Sequence, residues 1–502
     1  MDLSLENVAK RLKAFEVYLD KRVIAVLFLG FSSGLPILLI LKTLSAWLAD
    51  VGVDKSTIGL FAFVFAPYTF KFIWAPFMDR MPLPPFTRIF GRRRGWLLPT
   101  QICLMIAIFG LGQTDPSIDP FLTALMAFLV AFFSASQDIV IDAYRIELLR
   151  EDQLGAGAAN VVTGYRIGMF VAGAVALYIA DVAGWSTAYA VMALLILVGV
   201  VTVLVTPEPE KPADEQDRDD PKGDTAVGTH ASRTSIIVAL ALSSFIGLVI
   251  GDSYGLRAGL TGGVGAAIVM AALLAVFGRS STFRDGAVEP YRDFFKRNGV
   301  TIAIVILAFI SLFKASDVLL TLMANPFYLE IGFTKSEIAW VSGTFGFFVT
   351  FGGAYLAGVM IYRIGILASL WISGILMMAS NLMFALQAYV GAHYSLFHVT
   401  IFVENVSGGM GTTAFVAYLA SLCNRRYTAV QYALLTSFMQ MPGKFLIVPS
   451  SGFLVEQMGW ISFFIASSLA SIPALMLLWW LSRQIDITAP VQDRMAVSGS
   501  SA

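Results

Sequence analysis

Long apolar runs separated by short polar stretches extend from residue 23 to residue 482. A helix of about 20 apolar residues crosses a bilayer. The runs therefore predict about 14 transmembrane helices in groups of six, two and six. They lie at 23–49, 57–78, 96–113, 121–149, 155–180, 185–205, 235–251, 259–277, 299–329, 336–361, 365–389, 395–421, 428–455 and 460–482.

The polar stretches divide this all-α polytopic membrane protein into segments. We expect a cytoplasmic amphipathic N-terminus at 1–22, an N-terminal six-helix bundle at 23–206, a cytoplasmic linker at 207–234, an extra transmembrane hairpin at 235–278, a cytoplasmic amphipathic segment at 279–298, a C-terminal six-helix bundle at 299–483 and a cytoplasmic tail at 484–502. The N-terminal cations are followed by a long apolar run without a small-residue cleavage site, so we expect an uncleaved first span.

Composition excludes a soluble domain. Hydrophobic residues make up 57% of the chain and charged residues 14%, whereas soluble domains carry roughly 25% charge. The formal net charge is zero, so no nucleic-acid partner is indicated. Cys103 and Cys423 lack the spacing of a metal site or a disulfide framework.

Basic residues are concentrated on alternate loops. The five cations before the first span, Arg92–Arg94 after the second, and Arg425 with Arg426 all fall on one side of the predicted topology. Because cytoplasmic loops are enriched in Lys and Arg, we expect both termini in the cytoplasm.

A short repeat relates the two groups of six. DVGVDKSTI at 50–58 resembles EIGFTKSEI at 330–338, each following the first span of its group. Two parallel six-helix repeats are the arrangement expected of major facilitator transporters, with the binding site between them near the midplane. The alternative is a chance likeness between two turns.

The segment SASQDIVIDAYR, residues 134–145, places charge at the end of an apolar run. Asp138, Asp142 and Arg145 share one face of a helix because they are four and three residues apart. A carboxylate at the bilayer centre costs about 2.5–3.5 kcal/mol on insertion scales. This face must therefore look onto protein or a water-filled cavity, which makes it a functional candidate.

Other predicted spans also contain charged or amide residues, which should converge on the same interior. As substrate-binding candidates we take Gln137, Arg166, Lys71, Lys314, Glu404, Asn405, Lys444 and Lys42. As proton-coupling candidates we take Asp138, Asp142, Asp317 and Glu404. In one interpretation the cations hold an anionic substrate and an acid carries the coupling proton; in the other, fixed ion pairs only hold helices together.

The loop after the second span, MDRMPLPPFTRIFGRRRGW, resembles the major facilitator loop signature. Its Asp79 and Arg80, together with Asp142 and Arg145, are candidates for a cytoplasmic gate whose charges pair in one conformation and separate in the other. The alternative is that these charges only set the orientation of the chain. No G-x-x-x-x-G-K-[ST] loop is present, so ATP is not the expected energy source and protons are the expected coupling ion, with no cofactor.

Four stretches carry a more specific resemblance: GRRRGWLLPTQ, SASQDIVIDAYR, GAGAANVVTGYRIGM and FVENVSGGMGTTAFVAYLASLCN. Together they resemble the AmpG family of muropeptide permeases, over most of both halves. Residues that match family positions are Gln137, Asp138, Asp142, Arg166, Lys71, Lys314, Asp317, Glu404 and Asn405. For Lys42 and for the extra hairpin the resemblance gives no expectation.

The resemblance implies a non-enzymatic importer of anhydromuropeptides, driven by the proton motive force across the bacterial inner membrane, for cell-wall recycling. In some bacteria this recycling feeds β-lactamase induction. We expect a small-molecule muropeptide and membrane lipid as partners and a monomeric state. The alternatives are another anionic cargo, as in acetyl-CoA transporters, a membrane-embedded enzyme acting on peptidoglycan precursors, and a non-transporting sensor.

Overall fold

The computed structural model describes residues 16–53, 61–210, 281–442 and 448–484, and the regular structure in these ranges is helical. The first group comprises α1 (Lys21–Asp50), α2 (Phe61–Phe65, Ala66–Phe70, Lys71–Ile73 and Ala75–Arg80), α3 (Phe86–Phe90), α4 (Arg94–Leu111), α5 (Pro120–Leu148), α6 (Glu151–Ala183) and α7 (Trp185–Val205). The later helices are α8 (Ser281–Asn298), α9 (Val300–Glu330), α10 (336–364), α11 (366–390), α12 (Tyr394–Leu422), α13 (Thr428–Pro442), α14 (Val448–Leu469) and α15 (Ile472–Gln484).

The chain forms two units. Residues 1–210 together with 294–502 make one, and residues 211–293 make the other. Within the second unit the described residues, 281–293, belong to helix α8. The extra hairpin predicted at 235–278 lies outside the described residues.

Eight helices within the described ranges are long and apolar enough to cross a membrane, or nine if the bent pair Tyr394–Leu422 and Arg425–Met439 counts as one span. One of the eight, Ser336–Val390, has 55 residues and is broken at Gly365 (φ 84°), so it contains two predicted spans. The span predicted at 57–78 corresponds to the four short pieces of α2. There Pro67 and Pro76 each begin a new piece, because proline suits the first turn of a helix but not its interior.

The sequence repeat has a matching backbone geometry where both motifs begin. Gly52 after α1 and Gly332 after α9 have φ values of +82° and +109°. The amide of the next residue reaches back to Leu48 O (2.9 Å) in one turn and to Tyr328 O (3.0 Å) in the other. A glycine in the left-handed region with this bond pattern ends a helix in the Schellman manner. The two turns are therefore structural equivalents.

Helices α1 and α6 approach closely through two pairs of glycines. A Cβ atom at Gly34 would lie 2.0 Å from Tyr165 O, and one at Gly164 would lie 1.9 Å from Leu27 O. Gly30 and Gly168 meet the partner backbone in the same way. Glycines four residues apart allow such contact between membrane helices, and the contact fixes Tyr165 and Arg166 at the centre of the bundle.

The two groups of helices meet along two seams, α6 against α10 and α12, and α2 with α5 against α13. In the first seam a Cβ atom at Gly155 would lie 3.1 Å from Gly358 O. Tyr18, before α1, donates to Tyr355 O of α10 at 3.4 Å and stacks edge-on against that ring. Both contacts lie at the end of the bundle that carries Arg93.

Candidate functional site: a row of paired charges between the two helix groups

Helix α5 presents its carboxylates to α1 and α2. The Ser33 hydroxyl donates to Asp138 Oδ1 at 2.6 Å. Next to it, Gln137 is fully buried: its Oε1 accepts from Ser32 Oγ and its Nε2 donates to Ser32 O, each at 3.0 Å. The amide of Gln137 thus joins α5 to α1, and Asp138 is held by a charge-assisted hydrogen bond.

Lys71 supplies a cation from the break in α2. It is 5% exposed, its Nζ lies 4.0 Å from Asp142 Oδ2, and it also interacts electrostatically with Asp138. The first-half acids therefore share Lys71 as an electrostatic partner.

Asp142 continues the row toward the second helix group. Arg145 Nε donates to Asp142 Oδ1 at 3.1 Å. The guanidinium carbon of Arg145 lies 4.8 Å from the ring centroid of Tyr432 on α13, within range of a cation–π contact. The charged face predicted on α5 thus contacts the other half through the aromatic ring of Tyr432.

Arg166 connects the row to the acids of the second half. From α6 it interacts electrostatically with Glu404 of α12 and Asp317 of α9. The adjacent Tyr165 interacts with Asp138 and Asp142. Consecutive residues of one helix therefore face the charges of both halves.

The second half holds its own pair. Lys314 Nζ lies 3.0 Å from Asp317 Oδ2 and donates to Thr412 Oγ1 at 2.8 Å. Asn405 donates to Glu404 and accepts from Thr350 Oγ1 at 2.8 Å. Lys314 and Asp317 are therefore an ion pair within one turn of α9.

Of the remaining substrate-binding candidates, Lys42 is not part of this row. Lys42 lies in a π-helical turn of α1, Leu39–Thr43, and is exposed. Lys444 falls outside the described residues. The roles of these and of the other candidates stay predictions.

A second polar group, which we call the Arg93 cluster (Asp79, Arg92, Arg93, Glu147 and Thr428), joins the halves near the end of α5. Arg93 Nη2 lies 2.6 Å from both Asp79 Oδ1 and Glu147 Oε1 and donates to Thr428 Oγ1 at 3.1 Å. Thr428 in turn donates to Glu147. Arg93 is fully buried, so its charge is compensated by two carboxylates.

The gate candidates fall partly in this cluster. Asp79 is bound to Arg93, and Arg80 is the last residue of α2. Asp142 and Arg145 form their own pair, also at the seam with α13. The residues that the sequence reading missed are Ser33, Glu147, Thr428 and Tyr432. Glu147 could have been found as an acid beside a basic segment, but the other three are ordinary polar residues in apolar spans.

Glu208, just after α7, caps helix α4 next to the cluster. Its carboxylate accepts from the backbone N–H groups of Arg93 (2.6 Å) and Arg94 (3.0 Å). Burial raises the pKa of Glu208 above its usual value, while these two bonds and the nearby arginines act in the opposite direction. The first residues of the predicted cytoplasmic linker are thus bonded to the start of α4, which follows Arg93.

The row of paired charges leaves little free space for a ligand. A cavity between α9, α11 and α12 leaves about 10 Å³ for the centre of a water molecule, which suffices for about one water. A ligand the size of a sugar requires these helices or the two halves to move apart. Among the described residues, no group of three or more His, Cys, Asp or Glu could hold a metal ion.

Comparison with known proteins gives consistent matches. The Major Facilitator Superfamily matches residues 23–316. The "Anhydromuropeptide permease" of Escherichia coli (strain K12) is 35% identical over 474 residues, which cover 94% of this chain and 82% of that protein. The "Putative transporter AmpG 4" of Rickettsia conorii is 28% identical over 474 residues, with coverage of 94% and 99%.

Solved structures share the fold. The proton:xylose symporter XylE bound to 6-bromo-6-deoxy-D-glucose superimposes with a TM-score of 0.58 at 13% identity, covering 93% of this chain and 95% of that one. The human organic anion transporter MFSD10 gives 0.55 at 12% identity, covering 91% and 99%. At these identities the likeness shows the arrangement of helices alone.

Proposed function

Because this chain belongs to the major facilitator superfamily, and within it to the AmpG-type permeases, we propose that it imports anhydromuropeptides from periplasm to cytoplasm across the bacterial inner membrane, driven by protons. It is a multi-pass membrane transporter and not an enzyme. The cargo we propose is N-acetylglucosaminyl-1,6-anhydro-N-acetylmuramic acid and its peptides.

The observation that carries this proposal is the row of paired charges that passes from α5 through Arg166 to α9. It supports binding of a cargo that has both carboxylates and polar amides, because cations, acids and amides from both halves meet there. Arg166 is the link, since it lies on the first half and interacts with Glu404 and Asp317 of the second. Separation of the halves would break this link and free the cations for cargo carboxylates.

Coupling to protons is part of the proposal. Asp138 and Glu404 are our preferred proton sites, because each acid is half-buried, interacts with cations of the row and is next to an amide side chain. An acid that binds a proton loses its electrostatic attraction to the neighbouring cations, so protonation and cargo binding can act on the same partners. Protons are then the coupling ion, and no further cofactor is needed.

Orientation follows from the distribution of basic residues. The end that carries Arg93 also holds Arg88, Arg92, Arg94, Arg150, Arg297, Arg425 and Arg426. Such an excess of arginine is typical of the cytoplasmic side, so we assign this end and both termini to the cytoplasm. The halves are joined there, which is the arrangement expected when cargo enters from the periplasm. Both halves of the site belong to one chain, so we propose a monomer surrounded by membrane lipid.

The test is uptake of labelled anhydromuropeptide into proteoliposomes, with and without an inward proton gradient. We expect gradient-stimulated uptake by the unaltered protein, loss of that stimulation in Asp138→Asn, and no loss in Asp115→Asn, whose carboxylate lies in the exposed loop before α5.

Each other outcome removes a defined part of the proposal. A folded protein that accumulates no anhydromuropeptide under any gradient contradicts the cargo, and other anionic cargo must then be screened. Full coupling in Asp138→Asn leaves the importer in place and excludes Asp138 as the proton site.

A further inference from the structure

A buried amide points at the small cavity of the second half. The cavity is lined by residues of three helices: Ser316, Asp317 and Leu320 of α9, Met377, Ser380 and Asn381 of α11, and Glu404, Ser407 and Gly408 of α12. Asn381 is 3% exposed, and its Nδ2 has no hydrogen-bond partner within the described part of the chain. A buried donor without an acceptor destabilises the fold, so we expect an acceptor for this amide in the cavity.

The other polar groups around the cavity can complete the coordination of that acceptor. Ser380 and Ser407 donate their hydroxyl protons to the backbone oxygens of Met377 (2.8 Å) and Glu404 (3.0 Å). Their oxygen lone pairs and the carboxylates of Asp317 and Glu404 remain as acceptors. An occupant that accepts from Asn381 and donates to two of these groups has the two to four partners that a buried water needs.

Charge balance favours a neutral occupant over a metal cation. Asp317 is paired with Lys314 at 3.0 Å, and Glu404 interacts with Arg166 and Lys314. Tyr328 of α9 also interacts with Glu404. Two acids thus face two cations, and an added cation would leave a buried positive charge uncompensated.

We propose that this cavity binds one water molecule, anchored by Asn381, which joins Asp317 and Glu404 so that one proton can pass between them. In that step a carboxylic acid gives its proton to the water oxygen while another proton of the same water passes to the second carboxylate. The water is regenerated. This role rests on the proposed proton coupling, whereas the water site itself does not.

Radiolytic footprinting of the unaltered protein in H₂¹⁸O tests the water directly. A water bound in the cavity yields hydroxyl radicals that oxidise the adjacent Met377 to its sulfoxide, although Met377 is only 5% exposed. Met192 is the matched control, since it is fully buried in an apolar cluster of the first half. We expect label at Met377 above the level of Met192, and loss of that excess in Asn381→Leu.

Equal labelling of Met377 and Met192 would overturn the water site. Met377 also lines a neighbouring cavity with Ser471, so only the part of the label that is lost in Asn381→Leu is assigned to the water held by Asn381. If all the excess label persists in Asn381→Leu, the role of Asn381 is overturned. If Asn381→Leu does not fold, Asn381→Ala is used, and the comparison within the unaltered protein stands in either case.

Transport measurements test the proton step. We expect Asn381→Leu to lose gradient-stimulated uptake while it retains exchange of labelled for unlabelled cargo without a gradient. Ser373→Ala on the same helix removes a buried hydroxyl that does not line the cavity and should leave both activities intact. Retained stimulation in Asn381→Leu would overturn the proton role. Absence of cargo transport in the unaltered protein would refute the proposed function and leave the footprinting result valid.

Discussion

Arg93 of the first helix group donates to the hydroxyl of Thr428 in the second across 3.1 Å. The two residues are 335 positions apart in the chain, yet the bond between them is buried. The same hydroxyl donates to Glu147, so one threonine completes the coordination of an arginine and a glutamate. We therefore expect a neutral side chain, Thr428, to help hold the two helix groups together at this end.

Thr428→Val should favour opening at the Arg93 end. Valine keeps the shape and removes the hydroxyl, and a hydrogen bond to a charged group contributes about 1.5–3 kcal/mol, equivalent to about ten-fold or more in the open-to-closed ratio. Spin labels at Ile89 and Ser482, both exposed, would report longer distances in pulsed electron resonance.

The control is Thr428→Ser, which keeps the hydroxyl and should keep the distances of the unaltered protein. Both variants are made after replacement of Cys103 and Cys423, the free cysteines. Identical distance distributions for Val and Ser would contradict a closing role for Thr428.

Asp79→Asn should destabilise the fold. Removal of one partner from a buried ion pair costs about 3–5 kcal/mol, and we expect the lower end because Glu147 still faces Arg93. Thermal unfolding in detergent measures the loss. Asp115→Asn is the matched control, since Asp115 is bonded to the exposed Ser117. An unchanged midpoint in Asp79→Asn would show that the buried pair adds nothing to stability.

Gly164→Ala should lower the yield and stability of folded protein. Its Cβ would lie 1.9 Å from Leu27 O, a backbone atom that moves only with its helix. Overpacking of this kind costs about 1–3 kcal/mol or more. Gly110→Ala is the control. Its added Cβ atom would contact only Met126 Sδ, at 3.6 Å, so this variant should be neutral or slightly stabilising. Equal unfolding midpoints for the two variants would argue against close packing of α1 on α6.

Lys314→Gln combined with Asp317→Asn should separate structure from transport. Each single change leaves a charge without its partner at 3.0 Å and should reduce stability by a few kcal/mol. The double variant removes both charges, so folding should recover while muropeptide uptake does not. Recovery of uptake along with folding would identify the pair as a structural link only.

Spacing within one helix made part of the site predictable. Asp142 with Arg145, and Lys314 with Asp317, are three residues apart, so helical periodicity alone places each pair together. The matching turns at Gly52 and Gly332 were visible as a repeat for the same reason, since a short local motif specifies a local geometry.

Contacts between distant segments were not predictable in this way. Nothing in the polarity of Thr428 or Tyr432 distinguishes it from other residues of its span. Arg93 contacts Thr428, and Arg145 contacts Tyr432, only because α13 packs against α2 and α5. The basic segment Arg92–Arg94 is recognisable in the sequence, but the pairing of Arg93 with Glu147 depends on where α5 ends. Interhelical packing, and not periodicity, decides these partners.

The row of charges also determines how the carrier responds to an electric field. Its cations and acids are Lys71, Arg145, Arg166, Lys314, Asp138, Asp142, Asp317 and Glu404, whose formal charges cancel. A neutral centre can reorient without cargo and move no charge across the membrane. Under the proposed proton coupling, current would come only from the cargo and its protons. One proton per cargo carboxylate would then be electrically silent. Each further proton adds about 2.3 kcal/mol of driving force per 100 mV of membrane potential.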